Sequence, residues 1–265
     1  MNSLTQPNDV VLLERSGAIA TVILNRPDKL NATTLQSWQS LADTLRQLDA
    51  DDSVRCIILR GAGTQAFAPG NDISEFETSR SNVDQARTYG RVMHDALAAI
   101  DGCRHPLVAM IHGICVGGGL GIASLCDIRI CGESSRFGVP VNKLGLAMAH
   151  AEMGGLMRIA GPDVTLQILL EGRVFGAQEA FEKGLVSRVV ADDQVEASAL
   201  QSAERIAAGA PLIARWHKRF VRRLENPAPL SAQEYEEAFA CFGTEDFQIG
   251  YQAFLAKRKP VFGGH

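Results

Sequence analysis

Residues 107–125 read LVAMIHGICVGGGLGIASL, and the interpretation of the whole chain starts from this stretch. The apolar run Leu107–Ile111 has the length of a buried strand, and the glycine cluster 117–121 opens a short helix behind it. The first N–H groups of a helix lack intrahelical partners and lie at the positive end of its dipole, which suits an oxygen that gains negative charge. A second glycine turn lies upstream in residues 66–73, AFAPGNDI. Together the two turns predict a site for one developing oxyanion.

Strand and helix patterns alternate along the first two thirds of the chain. Two apolar segments joined by a Ser16-Gly17 turn predict a hairpin, and apolar runs of strand length then follow helical periodicities, which is typical of a parallel α/β sheet. The predicted strands cover residues 10–13, 19–24, 54–59, 107–111 and 128–131, and the predicted helices 35–48 and 83–100.

Beyond Gly161-Pro162 the pattern becomes mainly helical, with one short strand at 186–190. The predicted helices there cover residues 164–170, 177–183, 194–208, 212–224, 232–241 and 247–257. The sequence therefore predicts a sheet-rich core followed by a helical extension.

Composition and charge narrow the possible function classes. The 265-residue chain is 46% hydrophobic and 21% charged with a formal net charge of −4, which indicates an ordinary globular protein and no nucleic-acid partner. Six cysteines stand singly without a CxxC pair, so we expect reduced core residues. No signal-peptide pattern and no membrane-spanning stretch is present, so we expect a cytoplasmic protein with no membrane partner.

The glycine cluster must also be compared with other glycine motifs. Residues 119–124 imitate a dinucleotide fingerprint, but the region about 20 residues further on, Phe137–Leu144, holds no acidic ribose ligand. No GK[ST] follows the glycines, and no GxSxG nucleophile motif is present. Stabilisation of an oxyanion is the interpretation that remains.

Six segments in order along nearly the whole chain resemble the crotonase superfamily, the enoyl-CoA hydratases and isomerases that act on coenzyme A thioesters. Each segment alone is weak, but all six in one order are specific. The segments are NRPDKLNA at 25–32, FAPGNDI at 67–73, HGICVGGG at 112–119, CDIRI at 126–130, FGVP at 137–140 and GYQAFLAKRKP at 250–260.

The resemblance implies an α/β fold, a crotonase-type spiral of strand-strand-helix units with a helical C-terminal trimerisation region. We place the spiral core at residues 1–200 and the helical oligomerisation region at 201–265. The implied assembly is a homotrimer or a hexamer made of two trimers. No tightly bound cofactor and no metal are implied, because coenzyme A enters as part of the acyl-CoA substrate.

Carried over residue by residue, the resemblance assigns the backbone N–H groups of Asn71 and Gly118 to an oxyanion hole that polarises the thioester carbonyl. Asn71 and Pro69 depart from the family pattern, which has a small alanine at the position of Asn71, so we expect a hole that is narrower or differently hydrogen-bonded. Asp72 is expected to cap the helix that follows it. The residues implied on the coenzyme A side are Lys29, Leu30, Ala68, Asp72 and Ile73, with Phe254 and Lys257 reaching it from a neighbouring subunit.

The carboxylates that such enzymes use are absent from their usual places. The resemblance puts the two hydratase glutamates at Gly121 and Val141 and the isomerase carboxylate at Ala149. Glu152, one helical turn further on, is our candidate base, because burial there would raise its pKa toward that of a working base. A surface glutamate at a helix start is the alternative interpretation. Two histidines are further candidates, His94 and His150.

We therefore expect an enzyme that stabilises an enolate or oxyanion of an acyl-CoA thioester. Isomerisation, decarboxylation or thioester hydrolysis fits the sequence better than hydration by two glutamates, each of which would carry a separate proton-transfer role. The alternative is a catalytically degraded acyl-CoA-binding protein that acts as a scaffold or sensor. The intact pair of donors favours the enzyme, since a pure binder has no need of both.

Overall fold

Two sheets form the centre of the fold in the computed structural model, which describes residues 2–3 and 9–265. Within these residues the larger sheet contains, in spatial order, β1 (Asn2–Ser3), β2 (Val11–Ser16), β3 (Ile19–Leu24), β4 (Cys56–Gly61), β6 (Leu107–Ile111), β8 (Ile128–Gly132) and β11 (Arg188–Val190). The smaller sheet contains β10 (Phe175–Gly176), β9 (Arg136–Gly138), β7 (Ile114–Val116) and β5 (Ala66–Ala68).

The larger sheet begins with the predicted hairpin and continues as a parallel sheet. Strands β2 and β3 are antiparallel, and each of the pairs β3–β4, β4–β6, β6–β8 and β8–β11 is parallel. Every residue of β3 and of β6 is buried, as continuous apolar runs indicate for strands covered on both faces. The predicted strand positions are confirmed here to within two or three residues.

Helices cover both faces of this sheet. On one face α1 and α3 pack together over a core that contains Trp38, Leu45 and Tyr89, and on the other Val195 and Ala199 of α7 pack against Ile58, Val108 and Ile130. The helices are α1 (Leu35–Asp49), α2 (Phe76–Ser79), α3 (Val83–Asp101), α4 (Gly118–Leu125), α5 (His150–Glu171), α6 (Ala177–Glu182), α7 (Val195–Ala207), α8 (Pro211–Leu224), α9 (Ala232–Glu237) and α10 (Glu245–Leu255).

The smaller sheet was not predicted from the periodicity, because its strands have only two or three residues. Three of them, β5, β7 and β9, each follow a strand of the larger sheet closely in sequence, so that strand, strand and helix recur as β4-β5-α2, β6-β7-α4 and β8-β9-α5. Gly113 makes the sharp bend between β6 and β7 with a φ of 57°, and a side chain there would collide with the carbonyl oxygen of Gln65. The expected α/β spiral of strand-strand-helix units is thereby confirmed.

Helix α5 differs from the prediction, which placed a helix only at residues 164–170. It begins at His150 and continues to Glu171, with a kink at Gly161, whose φ is 72°. The first half was missed because Ala149, at the N-cap position, has no capping side chain, and Gly154 and Gly155 follow within the helix. This missed half carries Glu152.

The C-terminal helices α8 to α10 and the residues after them carry many apolar side chains that are exposed to solvent. The division predicted between residues 200 and 201 falls inside α7, which packs on the larger sheet, and the two-part division itself stays a prediction.

No helix of the described residues is long and apolar enough to cross a membrane. The six cysteines are free, five of them buried and Cys241 half-buried. The large apolar side chains exposed in the C-terminal part of the chain are Val221, Leu224, Tyr235, Phe239, Phe242, Tyr251, Phe254, Leu255 and Val261.

Candidate active site

Two glycine turns meet at the carboxyl ends of β5 and β7, which lie at one edge because these strands are parallel. Gly70 has a φ of 104° and Gly117 a φ of 56°, values that favour glycine. A Cβ atom on Gly70 would lie 3.0 Å from the backbone nitrogen of Gly118, closer than side-chain carbons normally approach. Glycine at position 70 therefore lets the two turns come together.

The backbone N–H groups of Asn71 and Gly118 are both left for a ligand by the local structure. Gly118 is the first residue of α4, and N–H groups in a first helical turn have no acceptor within the helix. On either side of Asn71 the backbone bonds to Thr33, with Gly70 O accepting from Thr33 N at 2.9 Å and Asp72 N donating to Thr33 O at 2.8 Å. Because a strand alternates the direction of its polar groups, the Asn71 N–H is directed away from Thr33.

The Asn71 side chain points into the core. Its Oδ1 accepts from the indole Nε1 of Trp38 at 2.8 Å, and the hydroxyl groups of Tyr89 and Thr33 lie 3.3 Å from it. Its Nδ2 lies 3.7 Å from the sulfur of Met93. The Asn71 side chain is thus hydrogen-bonded within the core, and the expectation of a narrower or differently hydrogen-bonded hole stays a prediction.

Tyr89 joins this network to Glu75. The phenol oxygen lies 3.1 Å from Glu75 Oε2, which also accepts from the Leu35 backbone N–H at 3.0 Å. Burial, reinforced by the Glu75 carboxylate, raises the pKa of Tyr89, so the hydroxyl keeps its hydrogen and serves one acceptor at a time. The backbone of the hole is thus fastened to the start of α1 and the middle of α3.

Both turns open into a cleft with about 650 Å³ of empty space. Among the described residues that line it, Glu152 supplies the one carboxylate and Arg80 the one cation. The remaining lining is mostly apolar, which lowers the local dielectric and strengthens electrostatic interactions within the cleft. Its lining residues are Pro69, Gly70, Asn71, Ile73, Phe76, Arg80, Val116, Gly117, Gly118, Val139, Pro140, Val141, Leu144, Leu146, Ala147, Met148 and Glu152.

Glu152 occupies the third position of α5 and is largely shielded from solvent. Its side chain is 20% exposed, and its Oε1 accepts from the Ala149 backbone N–H at 3.2 Å, an interaction that caps the helix start. The same oxygen lies 3.7 Å from Nε2 of His94 on α3. Glu152 is therefore both a helix-start residue and a carboxylate of the cleft, whereas His150 is exposed.

Comparison with known proteins agrees with this geometry. The family model described as enoyl-CoA hydratase/isomerase matches residues 14–265. The chain belongs to the enoyl-CoA hydratase/isomerase family. It is 32% identical to the short-chain-enoyl-CoA hydratase of Clostridium acetobutylicum. The alignment extends over 251 residues and covers 94% of this chain and 95% of that protein.

Solved structures of the enoyl-CoA hydratase/isomerase family show the same fold. An enoyl-CoA hydratase/carnithine racemase from Magnetospirillum magneticum superposes with a TM-score of 0.95 at 51% identity, covering 97% of this chain and 96% of that one. An enoyl-CoA hydratase from Bacillus anthracis gives a TM-score of 0.89 at 29% identity, covering 97% of this chain and all of the other. The fold and the status of the chain as an enzyme of this family are thereby shown.

The three positions at which the resemblance expects family carboxylates lie around the cleft without a carboxylate. Val141 lines the cleft wall and Ala149 is the N-cap of α5. Gly121 is buried in α4, where an added Cβ would lie 3.8 Å from the terminal methyl of Met148. Among the described residues that line the cleft, Glu152 is therefore the one that carries a carboxylate.

The residues expected on the coenzyme A side are spread over several elements. Lys29 and Leu30 lie in a turn before α1, where Lys29 is exposed and Leu30 is half-buried with a φ of 54°. Ala68 is fully buried and presents its carbonyl to Gly119, where any side chain would collide with it. Ile73 is 56% exposed at the cleft mouth. Their contacts with coenzyme A stay predictions.

The two residues expected to come from a neighbouring subunit lie at the end of α10. Phe254 is 82% exposed, and Lys257 follows the helix with a φ of 51°. Neither lines the cleft of its own chain within the described residues. Their placement in solvent is compatible with contact to a second copy.

Asp72 has a structural role that the structure makes plain. Its Oδ1 accepts from the backbone N–H of Ser74 at 3.0 Å and its Oδ2 pairs with Arg26 at 2.8 Å. The hydrogen bonds from Ser74, and after them Arg26, hold the pKa of Asp72 below its usual range. The predicted capping of the turn that follows is confirmed.

Proposed function

We propose that the protein catalyses proton transfer next to the thioester carbonyl of an unsaturated acyl-CoA, with an enolate as the intermediate. The observation that carries the proposal is the position of Glu152, the one carboxylate among the described residues that line the cleft, which Asn71 and Gly118 line as well. The mostly apolar lining and the 20% exposure of the Glu152 side chain limit the contact of that carboxylate with bulk water.

The chemistry follows from the charges at each step. The two N–H groups donate to the thioester oxygen, which gains negative charge when Glu152 removes a proton from the α-carbon of a 3-enoyl thioester or, in the reverse direction, from the γ-carbon of a 2-enoyl thioester. Each preorganised donor contributes about 3–4 kcal/mol to the transition state. Glu152 then returns the proton to a different carbon of the conjugated enolate. The double bond moves, and no atom is gained or lost.

Hydration is the second candidate, favoured by the names of the relatives, several of which are enoyl-CoA hydratases. In that reaction Glu152 would take a proton from water, the water oxygen would add to the β-carbon, and Glu152 would deliver the proton to the α-carbon. One carboxylate would then fill both roles that two glutamates share elsewhere in the family.

The coenzyme A part of the substrate is proposed to lie along Lys29, Leu30, Ala68, Asp72 and Ile73. Its phosphates need a cation, and Lys29 is exposed beside this route. Phe254 and Lys257 are proposed to complete the site from an adjacent copy in a homotrimer or hexamer, because exposed apolar side chains concentrate in this C-terminal part. Nothing in the relatives' names supports a binder without turnover.

A mass-spectrometric turnover screen with Glu152→Gln tests the proposal. The panel holds 2-enoyl, 3-enoyl, malonyl-type and aromatic acyl-CoAs, and we expect an isobaric product from an enoyl substrate, with the variant at least about 100-fold slower. Glutamine still accepts from the Ala149 N–H, so the helix start is preserved.

The exposed Glu77 on α2 provides the matched control, because Glu77→Gln removes a carboxylate outside the cleft. A gain of one water would select hydration instead of isomerisation. A near-normal rate in Glu152→Gln would remove Glu152 from the mechanism. Tight coenzyme A binding without any turnover would select the non-catalytic binder.

A further inference from the structure

Arg80 is the cation of the cleft, and its position is fixed by two aromatic rings. It follows α2, and its guanidinium carbon lies 4.6 Å from the centre of the Phe76 ring and 4.7 Å from that of Tyr89. Arginine stacks well on aromatic faces, and stacking leaves the N–H groups at the edge of its plane free to donate. The side chain is therefore held without the use of its hydrogen-bond donors.

No carboxylate partner accompanies this guanidinium. Within residues 9–265, Arg80 forms neither an ion pair nor a hydrogen bond through its side chain. Two other half-buried arginines have a carboxylate partner, Arg26 with Asp72 at 2.8 Å and Arg158 with Asp101 at 2.9 Å. Buried arginines are rarely unpaired. An unpaired arginine that lines a substrate cleft points to an anion supplied by the substrate.

We propose that Arg80 binds a carboxylate at the far end of the acyl group, so that the substrate is the coenzyme A thioester of a short dicarboxylic acid. This inference rests on the proposed function, because it takes the cleft as the acyl site. A planar guanidinium matches a carboxylate through two parallel hydrogen bonds, a geometry that lysine does not offer.

The distance from the hole limits the length of the acyl chain. Arg80 lies on the ring of Tyr89, and the hydroxyl group of that same ring lies 3.3 Å from Oδ1 of Asn71. One aromatic ring therefore separates the guanidinium from a residue of the oxyanion hole. Because Arg80 and Asn71 also line the same cleft, we place the second carboxylate only a few carbon atoms from the thioester.

Charge also sets the direction in which the acyl group lies. The second carboxylate is attracted by Arg80 and repelled by Glu152, the other charged residue of the lining. This arrangement keeps the distal carboxylate away from the base and leaves Glu152 beside the carbon atoms near the thioester. Arg80 thus selects and orients the substrate without taking part in proton transfer.

The test compares two substrates that differ in charge at the distal end, glutaconyl-CoA with a second carboxylate and crotonyl-CoA without one. We expect the wild type to prefer glutaconyl-CoA, and Arg80→Gln to lose roughly 10- to 100-fold in kcat/KM for glutaconyl-CoA, mainly through KM. For crotonyl-CoA we expect a change below about 2-fold, because no charged hydrogen bond is lost. Arg80→Lys should recover part of the loss.

Arg87→Gln is the matched control, since Arg87 lies on the exposed side of α3 and its side chain is 72% exposed. An equal loss with both substrates would show that Arg80 binds a phosphate of coenzyme A, and no loss with either would show that it binds neither anion. Both results overturn the proposal.

Calorimetric dissociation constants for both thioesters keep the test independent of turnover. If no substrate is turned over, the proposed function fails, but a selective loss of glutaconyl-CoA affinity in Arg80→Gln still supports the carboxylate site. Equal affinities of wild type and variant for glutaconyl-CoA overturn it.

Discussion

Asn71 serves the cleft with its backbone and the core with its side chain. Its N–H is proposed to donate to the thioester oxygen, while its side-chain oxygen accepts from the Trp38 indole N–H at 2.8 Å within the buried contact of α1 and α3. A donor fixed in this way needs no reorientation as charge develops, which is where the catalytic advantage of such a hole arises. We therefore regard Trp38 and Tyr89 as positioning residues.

Proline at Gly118 removes the second donor with little other change. Gly118 is the first residue of α4, a position at which proline fits a helix, and an added Cβ would meet Gly70 and Trp38 at the ordinary distances of 3.4 and 3.6 Å. We expect Gly118→Pro to lower kcat by roughly 10²–10³-fold with an unchanged thermal midpoint.

Gly118→Ala is the control for this change, because alanine adds the same Cβ and keeps the N–H. It should retain most of the activity in steady-state assays. If both variants lose activity equally, bulk at position 118 is responsible, and the assignment of this N–H to the hole is wrong.

The glycine motifs indicated the two donors from sequence alone, but the sequence did not indicate the arrangement of side chains around them. Trp38, Glu75 and Tyr89 come from separate elements, and their convergence depends on how α1 packs on α3. Arg80 was missed for the same reason, since its two aromatic neighbours are brought to it by the fold. Glu152 could be found because it lies one turn beyond a recognised motif.

Helix α8 is attached to the core through a nearly buried charge. Lys218 is 9% exposed, pairs with Asp127 at 2.8 Å and donates to the His105 carbonyl at 2.9 Å. Asp127 in turn accepts from the Leu107 N–H at the start of β6. Composition alone would assign the basic residues Lys218, Arg219, Arg222 and Arg223 to a solvated helix face. Lys218 instead forms an internal contact between this helix and the sheet.

Replacing this lysine should destabilise the protein measurably. Lys218→Met keeps the apolar stem but removes the ammonium group that donates to both Asp127 and the His105 carbonyl, so we expect the free energy of unfolding in urea to fall by about 1–3 kcal/mol. The neighbouring Arg219, which is 56% exposed and pairs with Glu237, offers the control.

Arg219→Met should change stability by less than about 1 kcal/mol, as is usual for a surface pair. If the two variants are equally stable, the Lys218 contact does not hold α8 to the core.

Long periodic elements were predictable, and the short ones were not. Helices α1 and α3 and strands β3 and β6 carry their pattern over five or more residues, whereas β5, β7 and β9 have three residues each. Three residues hold too little periodicity to distinguish a strand from a loop. Their existence follows from pairing with one another, which is a property of the folded chain.

At the scale of the whole molecule, the exposed apolar side chains lie unevenly. They concentrate after residue 220, where Phe239, Phe254 and Val261 are each more than 60% exposed. A monomer that exposes so many large apolar groups in one part of its surface is expected to associate. The proposed trimer or hexamer would cover them.

Light scattering coupled to size-exclusion chromatography measures the number of chains in the assembly directly. We expect the mass of three or six chains for the wild type, and a shift toward smaller species for Phe254→Glu, since a charge would be buried at the contact. If Phe254 and Lys257 complete the site of the neighbouring subunit, the activity of Phe254→Glu should also fall at low protein concentration, together with the mass of the assembly.

Val83→Glu is the control, because Val83 is 64% exposed on the N-terminal end of α3, remote in sequence from the C-terminal helices. A wild type that is monomeric at micromolar concentration would contradict the proposed assembly.

Two glycines of α4 that stand two residues apart differ in what they permit. Any side chain at Gly119 would strike the Ala68 carbonyl, whereas a side chain at Gly121 would begin in ordinary contact with the movable end of Met148. A residue with a side chain is therefore excluded at position 119, whereas position 121 has room for a Cβ atom. In evolutionary terms, drift of the sequence on this scaffold is expected to change position 121 before position 119.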